Sequence, residues 1–163
     1  MGFSMRKTGD WDKAGMVLKA LSSGSIPVAF KAQLQEDGNM FLEAVINHID
    51  RQDLSWTPLS ERTIELKGGD DTIYVETGYL KKNLSVRKIK SAKNGFTIFV
   101  GASPWKTHKP SGVKFSDLMI WLEYGTDKIP PRPLIRPTWE EVEPLIKNNW
   151  QKCLKDLIDR GGR

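Results

Sequence analysis

The chain contains 163 residues, of which 39% are hydrophobic and 28% are charged, and it carries a net charge of +5 at pH 7. This length suits one domain, residues 1–163 with flexible ends near 1–9 and 160–163, and the composition excludes a largely disordered protein. No stretch approaches the roughly 18 apolar residues of a membrane helix, and residues 1–9 lack the apolar core of a secretory signal. We therefore expect a cytosolic protein without a membrane partner.

Two amphipathic helices are predicted in the first third of the chain. Residues 10–21 repeat apolar side chains at helical spacing, after an Asp10 that can cap the helix. A second helix of about 27 residues begins at Ser25 and Pro27, with apolar residues near every fourth position. Gly38 interrupts this helix and indicates a bend. His48, at the edge of the apolar stripe, is interpreted as a packed or exposed histidine and not as a metal ligand.

The segment that follows reads as turns and short elements. Gly68-Gly69 lacks the Gly-Lys-Ser/Thr ending of a phosphate-binding loop, and the acidic residues at 70, 71 and 76 match no calcium loop. We expect a turn here, with no cofactor and no metal. Thr77 can cap a short helical turn over residues 78–83, after an extended entry at residues 73–75.

The strongest strand signals are residues 84–89 and 96–100, which are rich in β-branched and aromatic side chains. Asn94-Gly95 between them is a turn dipeptide that accepts positive φ, so the pattern predicts a β-hairpin. We expect the hairpin to belong to a small antiparallel sheet that is completed by residues 63–75 or by the proline-rich segment 130–137.

Residues 101–116 are predicted to form a loop that is mobile in the free protein and ordered on assembly. Trp105 lies in this loop beside Lys106, His108, Lys109 and Lys114. An exposed tryptophan beside cations is suited to contact with a partner protein or with nucleic acid. The alternative, that Trp105 folds back on the hairpin, is equally compatible with the sequence.

A helix over residues 116–124 is predicted to end at Gly125, which tolerates the positive φ of a helix terminus. The four prolines of residues 130–137 predict a stiff, non-helical segment. Arg132 and Arg136 are expected to project from it, with Glu123 as a candidate ion-pair partner within the domain or across a subunit interface. On this interpretation Arg132→Ala weakens assembly and leaves the isolated chain nearly as stable.

The chain closes with an amphipathic helix. Thr138 and Glu141 form a capping-box pattern, and Pro144 either kinks the helix or marks its true start. The single cysteine, Cys153, excludes an internal disulfide and a multi-cysteine metal site, and it is assigned to the core. The predicted apolar face consists of Val142, Leu145, Ile146, Cys153, Leu154 and Leu157.

The predicted elements define a fold class and give little support to catalysis. Two histidines in separate elements and one cysteine on a core stripe supply no nucleophile with a base and an orienting group. We therefore predict no catalytic residue. The fold class is α+β, with a small antiparallel sheet covered by the long second helix and the last helix.

Two segments resemble the tail-completion family of long-tailed bacteriophages, which are neck (head-tail joining) or minor tail proteins, and a third, residues 56–60, resembles the segment that precedes them in related virion-morphogenesis proteins. Residues 56–60 read Trp-Thr-Pro-Leu-Ser, residues 75–84 read Val-Glu-Thr-Gly-Tyr-Leu-Lys-Lys-Asn-Leu, and residues 123–137 hold Glu-Tyr-Gly-Thr and then Pro-Pro-Arg-Pro-Leu-Ile-Arg-Pro. These segments come in the family's order. The positions carrying the resemblance are Thr77, Gly78, Leu80, Glu123, Gly125, Thr126, Arg132, Pro133, Arg136 and Pro137.

The resemblance implies a virion protein of the tail or neck, made in the host cytoplasm. It would form a ring with copies of itself, expected to be a hexamer, at the head-proximal end of the tail. Its other partners would be the tail tube or tail terminator protein and the head-completion (connector) protein, with DNA passing through the ring.

A different function is suggested by charge. Lysines and arginines cluster in residues 87–93 and 106–114, which is compatible with a basic nucleic-acid-binding module that acts through the 101–116 loop. The affinity of such a module for DNA would fall steeply with salt concentration.

Overall fold

The computed structural model describes Gly15 and residues 25–76, 78–87, 89–92, 95–109 and 111–161. The fold of this part of the chain is α+β, as the sequence predicted. Apart from Gly15, the helix predicted over residues 10–21 lies outside the described residues. The elements are the helices α1 (Ser25–Arg51), α2 (Glu61–Leu66), α3 (Tyr79–Asn83), α4 (Phe115–Tyr124) and α5 (Ile135–Gly161), and the strands β1 (Leu84–Val86), β2 (Lys90–Ala92), β3 (Gly95–Thr97) and β4 (Val100–Ala102).

The two longest helices, α1 and α5, have 27 residues each and pack against one another. Phe30 meets Trp150 edge-on with 5.1 Å between ring centroids, and Phe41 meets Trp139 at 5.9 Å. Residue numbers rise along α1 as they fall along α5, so the helices run antiparallel. The predicted bounds of α1 are confirmed. Three of its apolar residues, spaced four apart, belong to the core, which contains Phe41, Val45, Ile49, Trp56, Ile73, Tyr74, Leu80, Leu84, Ala102, Phe115, Met119, Leu134 and Val142.

The predicted hairpin is confirmed, although an irregularity divides it into two ladders. β1 pairs with β4 and β2 with β3, both antiparallel, with Val86 opposite Val100 and Lys90 opposite Thr97. Three residues separate β1 from β2 while two separate β3 from β4, so one strand carries an extra residue, as in a β-bulge. The expected third strand is wrong for the described residues, because neither region 63–75 nor region 130–137 joins a ladder.

Gly38 lets the hairpin approach α1 closely. A Cβ atom at this position would lie 2.8 Å from Ile98 Cδ1 and 3.1 Å from Val86 Cγ1. The helix continues through this residue without interruption. Its glycine is therefore explained by close packing of the hairpin.

The closing helix begins earlier than the sequence predicted. α5 starts at Ile135, so only residues 130–134 of the proline-rich segment are non-helical. Pro137 lies in the first turn, where the missing N–H costs little, and Pro144 lies inside the helix. The predicted capping box is wrong, because the Thr138 hydroxyl is fully buried and donates to the Leu134 carbonyl at 2.6 Å.

The predicted apolar face of α5 is only partly correct. Val142 is 2% exposed and belongs to the core, and Ile146 packs against it. Leu145 and Leu154, in contrast, are 52% and 44% exposed. Cys153 is half-buried and lies outside the buried core.

Residues 60–83 contain more local structure than was predicted. Ser60 caps α2 by accepting a hydrogen bond from the Thr63 N–H at 3.3 Å. The predicted extended entry at residues 73–75 is wrong, because Tyr74 has a φ of 67°. The helical turn near residues 78–83 is confirmed as α3, but its N-cap is Gly78 without a side-chain hydrogen bond, and Thr77 lies outside the described residues.

The end of α1 is joined to α5 by a buried histidine. His48 Nδ1 lies 2.6 Å from Asp53 Oδ1, and His48 Nε2 lies 3.1 Å from Glu141 Oε2. His48 is therefore a packed residue, one of the two states that its position in the sequence allowed. Its hydrogen bond is the main cause that lowers the pKa of Asp53 below the ordinary value.

We expect Asp53→Asn to destabilise the protein at neutral pH and much less in acid. Because the pKa of Asp53 is lower in the folded than in the unfolded chain, its contribution is present above the unfolded value of 3.8 and is lost as pH falls through the folded value. Urea denaturation from neutral pH down to about pH 3 should show the two proteins converging in stability. Asp127→Asn, at an exposed position, controls for the change in charge. A gap that stays constant over this range would contradict the assignment.

Candidate functional site

Two of the three sequence segments that resemble the phage family, the first and the third, meet in one hydrogen-bonded cluster. We call its four side chains, Trp56, Tyr74, Glu123 and Arg132, the clamp. Trp56 comes from the first segment, Tyr74 directly precedes the second, and the other two belong to the third. Their partners lie up to 77 residues away in the chain. The resemblance therefore covers residues that hold distant parts of the fold together.

Gly125 turns the chain sharply between α4 and the proline-rich segment. Its φ is 77°, and its N–H donates to the Trp121 carbonyl at 2.9 Å, which confirms the predicted end of the helix. A Cβ atom here would lie 2.9 Å from both the Ile129 carbonyl oxygen and the Pro131 nitrogen. The next residue, Thr126, closes a short turn by accepting hydrogen bonds from the N–H groups of residues 128 and 129.

Glu123 caps the N-terminus of α5. Its Oε2 accepts hydrogen bonds from the N–H groups of Leu134 and Ile135 at 2.7 and 2.8 Å, and its Oε1 accepts one from Arg136 at 2.9 Å. The first N–H groups of a helix have no partner within the helix, and a negative charge there is favourable. The hypothesis that Glu123 pairs with the arginine side chains is therefore wrong, because its carboxylate is bonded to backbone.

Arg132 is buried and bound to backbone carbonyls. Only 5% of it is exposed, its Nε donates to the Thr57 carbonyl at 2.7 Å, and a terminal nitrogen donates to the Pro58 carbonyl at 2.9 Å. Burial lowers the pKa of its guanidinium below the ordinary value. The expectation that this side chain projects toward a partner is wrong. Arg136, in contrast, is exposed.

The two aromatic residues of the clamp donate hydrogen bonds to backbone carbonyls of the proline-rich segment. The Trp56 indole N–H donates to the Pro133 carbonyl at 2.6 Å, and the Tyr74 hydroxyl donates to the Arg132 carbonyl at 2.5 Å. Their rings lie 5.1 Å apart. Burial, and secondly the charge of Glu123, raise the pKa of Tyr74. The phenol therefore stays protonated and acts as a hydrogen-bond donor.

Gln52 fixes the unusual backbone of this region. Its side-chain amide accepts from the Ile73 N–H at 2.7 Å and donates to the Ile73 carbonyl at 2.9 Å. The amide thus pairs with a backbone as a neighbouring strand would. This contact positions the adjacent Tyr74 for its bond to the proline-rich segment.

An apolar cleft of about 600 Å³ opens beside the clamp. Its walls come from the segment before α2, from α2 itself and from α4, and Tyr74 and Arg132 of the clamp also line it. Leu80 of the second family segment is a lining residue too. The other apolar lining residues include Leu59, Leu66, Phe115, Leu118, Trp121, Leu122 and Ile129. We refer to this feature as the cleft.

Backbone hydrogen bonds and one bridge connect residues within the 101–116 segment. The N–H of His108 donates to the Val113 carbonyl at 2.7 Å, the N–H of Phe115 donates to the Lys106 carbonyl at 3.1 Å, and Thr107 forms an antiparallel bridge with Lys114. Outside this bridge the described residues among 103–114 form no helix or strand, so the predicted loop is confirmed there, while residues 101 and 102 belong to β4 and residues 115 and 116 to α4.

His108 is not a surface contact residue. It is 7% exposed, its Nδ1 lies 3.0 Å from the Ser111 hydroxyl, and its Nε2 lies 3.7 Å from Glu76 Oε2. Its assignment as a partner or DNA contact is wrong, because the ring packs edge-on against Phe115 in the wall of the cleft.

Trp105 and the three lysines around it remain accessible. Trp105 is 85% exposed, so the alternative in which it folds back on the hairpin is wrong. Lys106, Lys109 and Lys114 are exposed as well. This end of the molecule presents an aromatic ring among cations.

The described part of the chain was searched for a metal site and for a membrane-spanning helix, and neither was found there. It contains no group of three or more His, Cys, Asp or Glu side chains that could hold a metal ion. No helix within it has both the length and the hydropathy needed to cross a bilayer.

Comparison of the chain with protein-family models, curated proteins and solved structures found no match. The resemblance to tail-completion proteins therefore depends on the sequence motifs alone.

The structure brings together more residues than the motifs indicated. Glu123, Gly125, Arg132 and Pro133 meet at the clamp, whereas Gly78 contacts none of its side chains through a hydrogen bond. Tyr74 and Gln52 were missed, because a buried hydroxyl and a backbone-pairing amide leave no local sequence signal.

We expect Glu123→Ala to destabilise the protein by about 2–4 kcal/mol, because three backbone donors lose their acceptor. Glu123→Gln should cost less, about 1–2 kcal/mol, since one oxygen remains while the favourable charge is lost. Glu140→Ala, at an exposed carboxylate on α5, the helix that Glu123 caps, is the matched control. Chemical denaturation measures all three, and a Glu123→Ala protein as stable as the control would refute the cap.

Arg132→Ala should also destabilise the isolated chain, by about 2–4 kcal/mol, because two carbonyls lose a charged donor. This reverses the expectation drawn from the sequence. Arg132→Lys should not restore stability, since an ammonium cannot reproduce the guanidinium fork. Arg136→Ala should stay within about 0.5 kcal/mol of the wild type. Equal effects at the two arginines in thermal unfolding would count against this assignment.

Proposed function

We propose that this chain is a structural protein of a long-tailed phage virion, a tail-completion or neck component. In this proposal it forms a ring at the head-proximal end of the tail and joins the tail to the head connector. The observation that carries the proposal is the convergence of the first and third family-like segments on the clamp, while the second segment begins directly after Tyr74 and lines the cleft with Leu80. Segments that resemble a family in sequence and also meet in space are better explained by a shared architecture than by chance.

The chemistry of the clamp supports a structural function. Its side chains donate to or accept from backbone groups of the chain itself, and each has a partner at hydrogen-bond distance. Such groups fix the angle between α4 and α5 and leave no reactive atom turned toward a substrate. We infer that these residues set the geometry of the subunit.

The outer surface supports association with other proteins. Several large apolar side chains are exposed, among them Trp105 at 85%, Leu66 at 79% and Tyr124 at 68%. Exposed aromatic and apolar residues of this size are typical of protein interfaces. A ring subunit needs such surfaces on both of its flanks.

A second candidate function, nucleic-acid binding, is favoured by the exposed Trp105 and by the exposed Lys106, Lys109 and Lys114 of the same segment. An aromatic ring for base stacking beside cations for phosphate contact is the usual arrangement for single strands. In the ring proposal the same lysines would face DNA in the channel or an acidic partner protein.

The deciding experiment is electron microscopy of virions that lack this chain. We expect filled heads and tails that fail to join, with joining restored when the protein is supplied in trans. Normal virions in its absence would overturn the proposal. Free DNA binding whose affinity falls with a slope near −0.9 per phosphate on a log–log salt plot, together with normal virions, would favour the nucleic-acid alternative.

A further inference from the structure

The charges of this chain are distributed unevenly along its sequence. Residues 77–116 contain nine lysines and arginines and no aspartate or glutamate. The rest of the chain holds the other 16 of the 25 cations together with all 20 carboxylates, so it is net negative although the whole chain is net positive. Forty residues without a carboxylate indicate a surface that attracts polyanions.

The hairpin in this segment has an inner face on α1 and an outer face. Ile98 lies on the inner face, because its Cδ1 atom would be 2.8 Å from a Cβ atom at Gly38. Phe96 lies there too, since Lys31 of α1 is 5.0 Å from the centre of its ring. Side chains alternate between the two faces of a strand, so Phe99 points outward. Its ring is 48% exposed.

The outer face of the hairpin combines this ring with cations. The Arg87 guanidinium lies over the Phe99 ring at 4.9 Å, and the Arg87 N–H donates to the Phe99 carbonyl at 2.8 Å. Gly101 leaves room for the ring, because a Cβ atom there would lie 3.3 Å from it. Lys90 pairs with the outward Thr97 in the second ladder, so it also points outward, and it is exposed.

A second exposed ring follows a few residues further along the chain. Trp105 is 85% exposed, and its N–H donates to the Ser103 hydroxyl at 3.4 Å. Lys106, the next residue, is exposed as well. Six residues separate Phe99 from Trp105, so their Cα atoms lie at most about 22 Å apart. A stacked nucleic-acid strand advances about 3.4 Å per nucleotide, so about ten nucleotides can reach both rings.

Carboxylates of neighbouring elements leave these cations unpaired. Among the lysines and arginines of residues 77–116 that the structure describes, only Lys81 forms an ion pair, with Asp50 of α1. Glu36 and Asp37 belong to α1 as well, which packs on the inner face of the hairpin. The cations of the outer face are therefore free to bind an anion.

The two carboxylates that border the acid-free segment have contacts elsewhere. Glu76 Oε2 lies 3.7 Å from His108 Nε2 in the lining of the cleft. Asp117, in the first turn of α4, accepts a hydrogen bond from the Ser116 hydroxyl at 3.2 Å. Within the described residues, neither is bonded to a cation of the hairpin.

We infer that the outer face of the hairpin and the Trp105 turn together bind single-stranded DNA. Trp105 and Phe99 stack on bases, and Arg87, Lys90 and Lys106 contact phosphates. The exposed rings favour a single strand over a duplex, whose bases are already stacked and paired inside. Lysine and arginine have no acceptor for a ribose 2′-hydroxyl, so the cations give no preference for RNA. The inference rests on the second candidate function and is independent of the ring.

Fluorescence anisotropy of the full chain with a labelled oligothymidine of about 20 nucleotides tests this surface. Unlabelled duplex DNA, oligouridine and polyglutamate serve as competitors. Trp105→Ala and Phe99→Ala each remove one ring, and Lys106→Gln removes one charge. Trp139→Ala and Lys155→Gln, at exposed positions on α5, are the matched controls. Circular dichroism confirms that each variant is folded.

We expect Trp105→Ala and Phe99→Ala each to weaken binding at least about 5-fold, the loss of one stacked base. Lys106→Gln should reduce the slope of log affinity against log salt by about 0.7, the value for one phosphate contact on a single strand. Both controls should bind like the wild type. Unlabelled oligothymidine should compete better than the duplex and at least as well as oligouridine.

Four results would overturn the inference: no binding of oligothymidine at low salt, stronger competition by the duplex or by oligouridine, a Trp105→Ala protein that binds like the wild type, or a Lys155→Gln slope that falls as much as that of Lys106→Gln. Stronger competition by polyglutamate would also overturn it and would indicate an acidic protein partner instead.

The proposed functions fail separately from this surface. Normal virions in the absence of the chain refute the ring and leave oligothymidine binding intact. Duplex binding that Trp105→Ala leaves unchanged keeps the nucleic-acid candidate and refutes the single-strand surface. Unjoined heads and tails, with no oligothymidine binding, keep the ring and remove only this inference.

Discussion

The carboxylate of Glu123, bonded to three backbone N–H groups at the start of α5, is the contact on which the arrangement of the helices depends. The residues just before α5 are Pro133 and Leu134, and neither has a side chain that can cap a helix. The cap must come from elsewhere in the chain. Because it comes from the last turn of α4, the end of one helix and the start of the next are held at a fixed distance and angle. That geometry directs α5 along α1.

The other clamp residues fix the segment between the two helices. Arg132 binds the backbone at residues 57 and 58, and Trp56 and Tyr74 bind the carbonyls of Pro133 and Arg132. Because prolines lack an N–H, a proline-rich segment cannot pair regularly with a neighbouring strand. The carbonyls of Arg132 and Pro133 therefore receive their hydrogen bonds from side chains. The same contacts place α2 and α4 opposite one another across the cleft. The cleft is thus built on the buried cluster that stabilises the fold.

Much of the fold was accessible to sequence reasoning, because its signals are local. The bounds of α1, the hairpin and the end of α4 at Gly125 follow from apolar spacing, a turn dipeptide and a glycine with positive φ. The contacts of the clamp could not be predicted from local sequence signals in the same way. Glu123 and Arg132 were singled out as residues, but their partners are backbone atoms, which carry no sequence identity. Thr138 and Glu141 have the local pattern of a capping box. The first N–H groups of α5 instead donate to the carboxylate of Glu123 on α4. For α2 a signal existed, since Ser60 and Thr63 mark a helix start, and it was overlooked.

The contact between Arg132 and the carbonyls of Thr57 and Pro58 restricts substitution at Arg132 more than at the two residues that it binds. The guanidinium recognises main-chain oxygens, and both of these residues are exposed. Their side chains can therefore change without a compensating change at Arg132, and Arg132 has no side-chain partner in this contact with which it could co-vary. Related chains would keep the arginine while the residues it holds diverge. Pairwise co-variation between positions would then miss one of the strongest long-range contacts in the molecule.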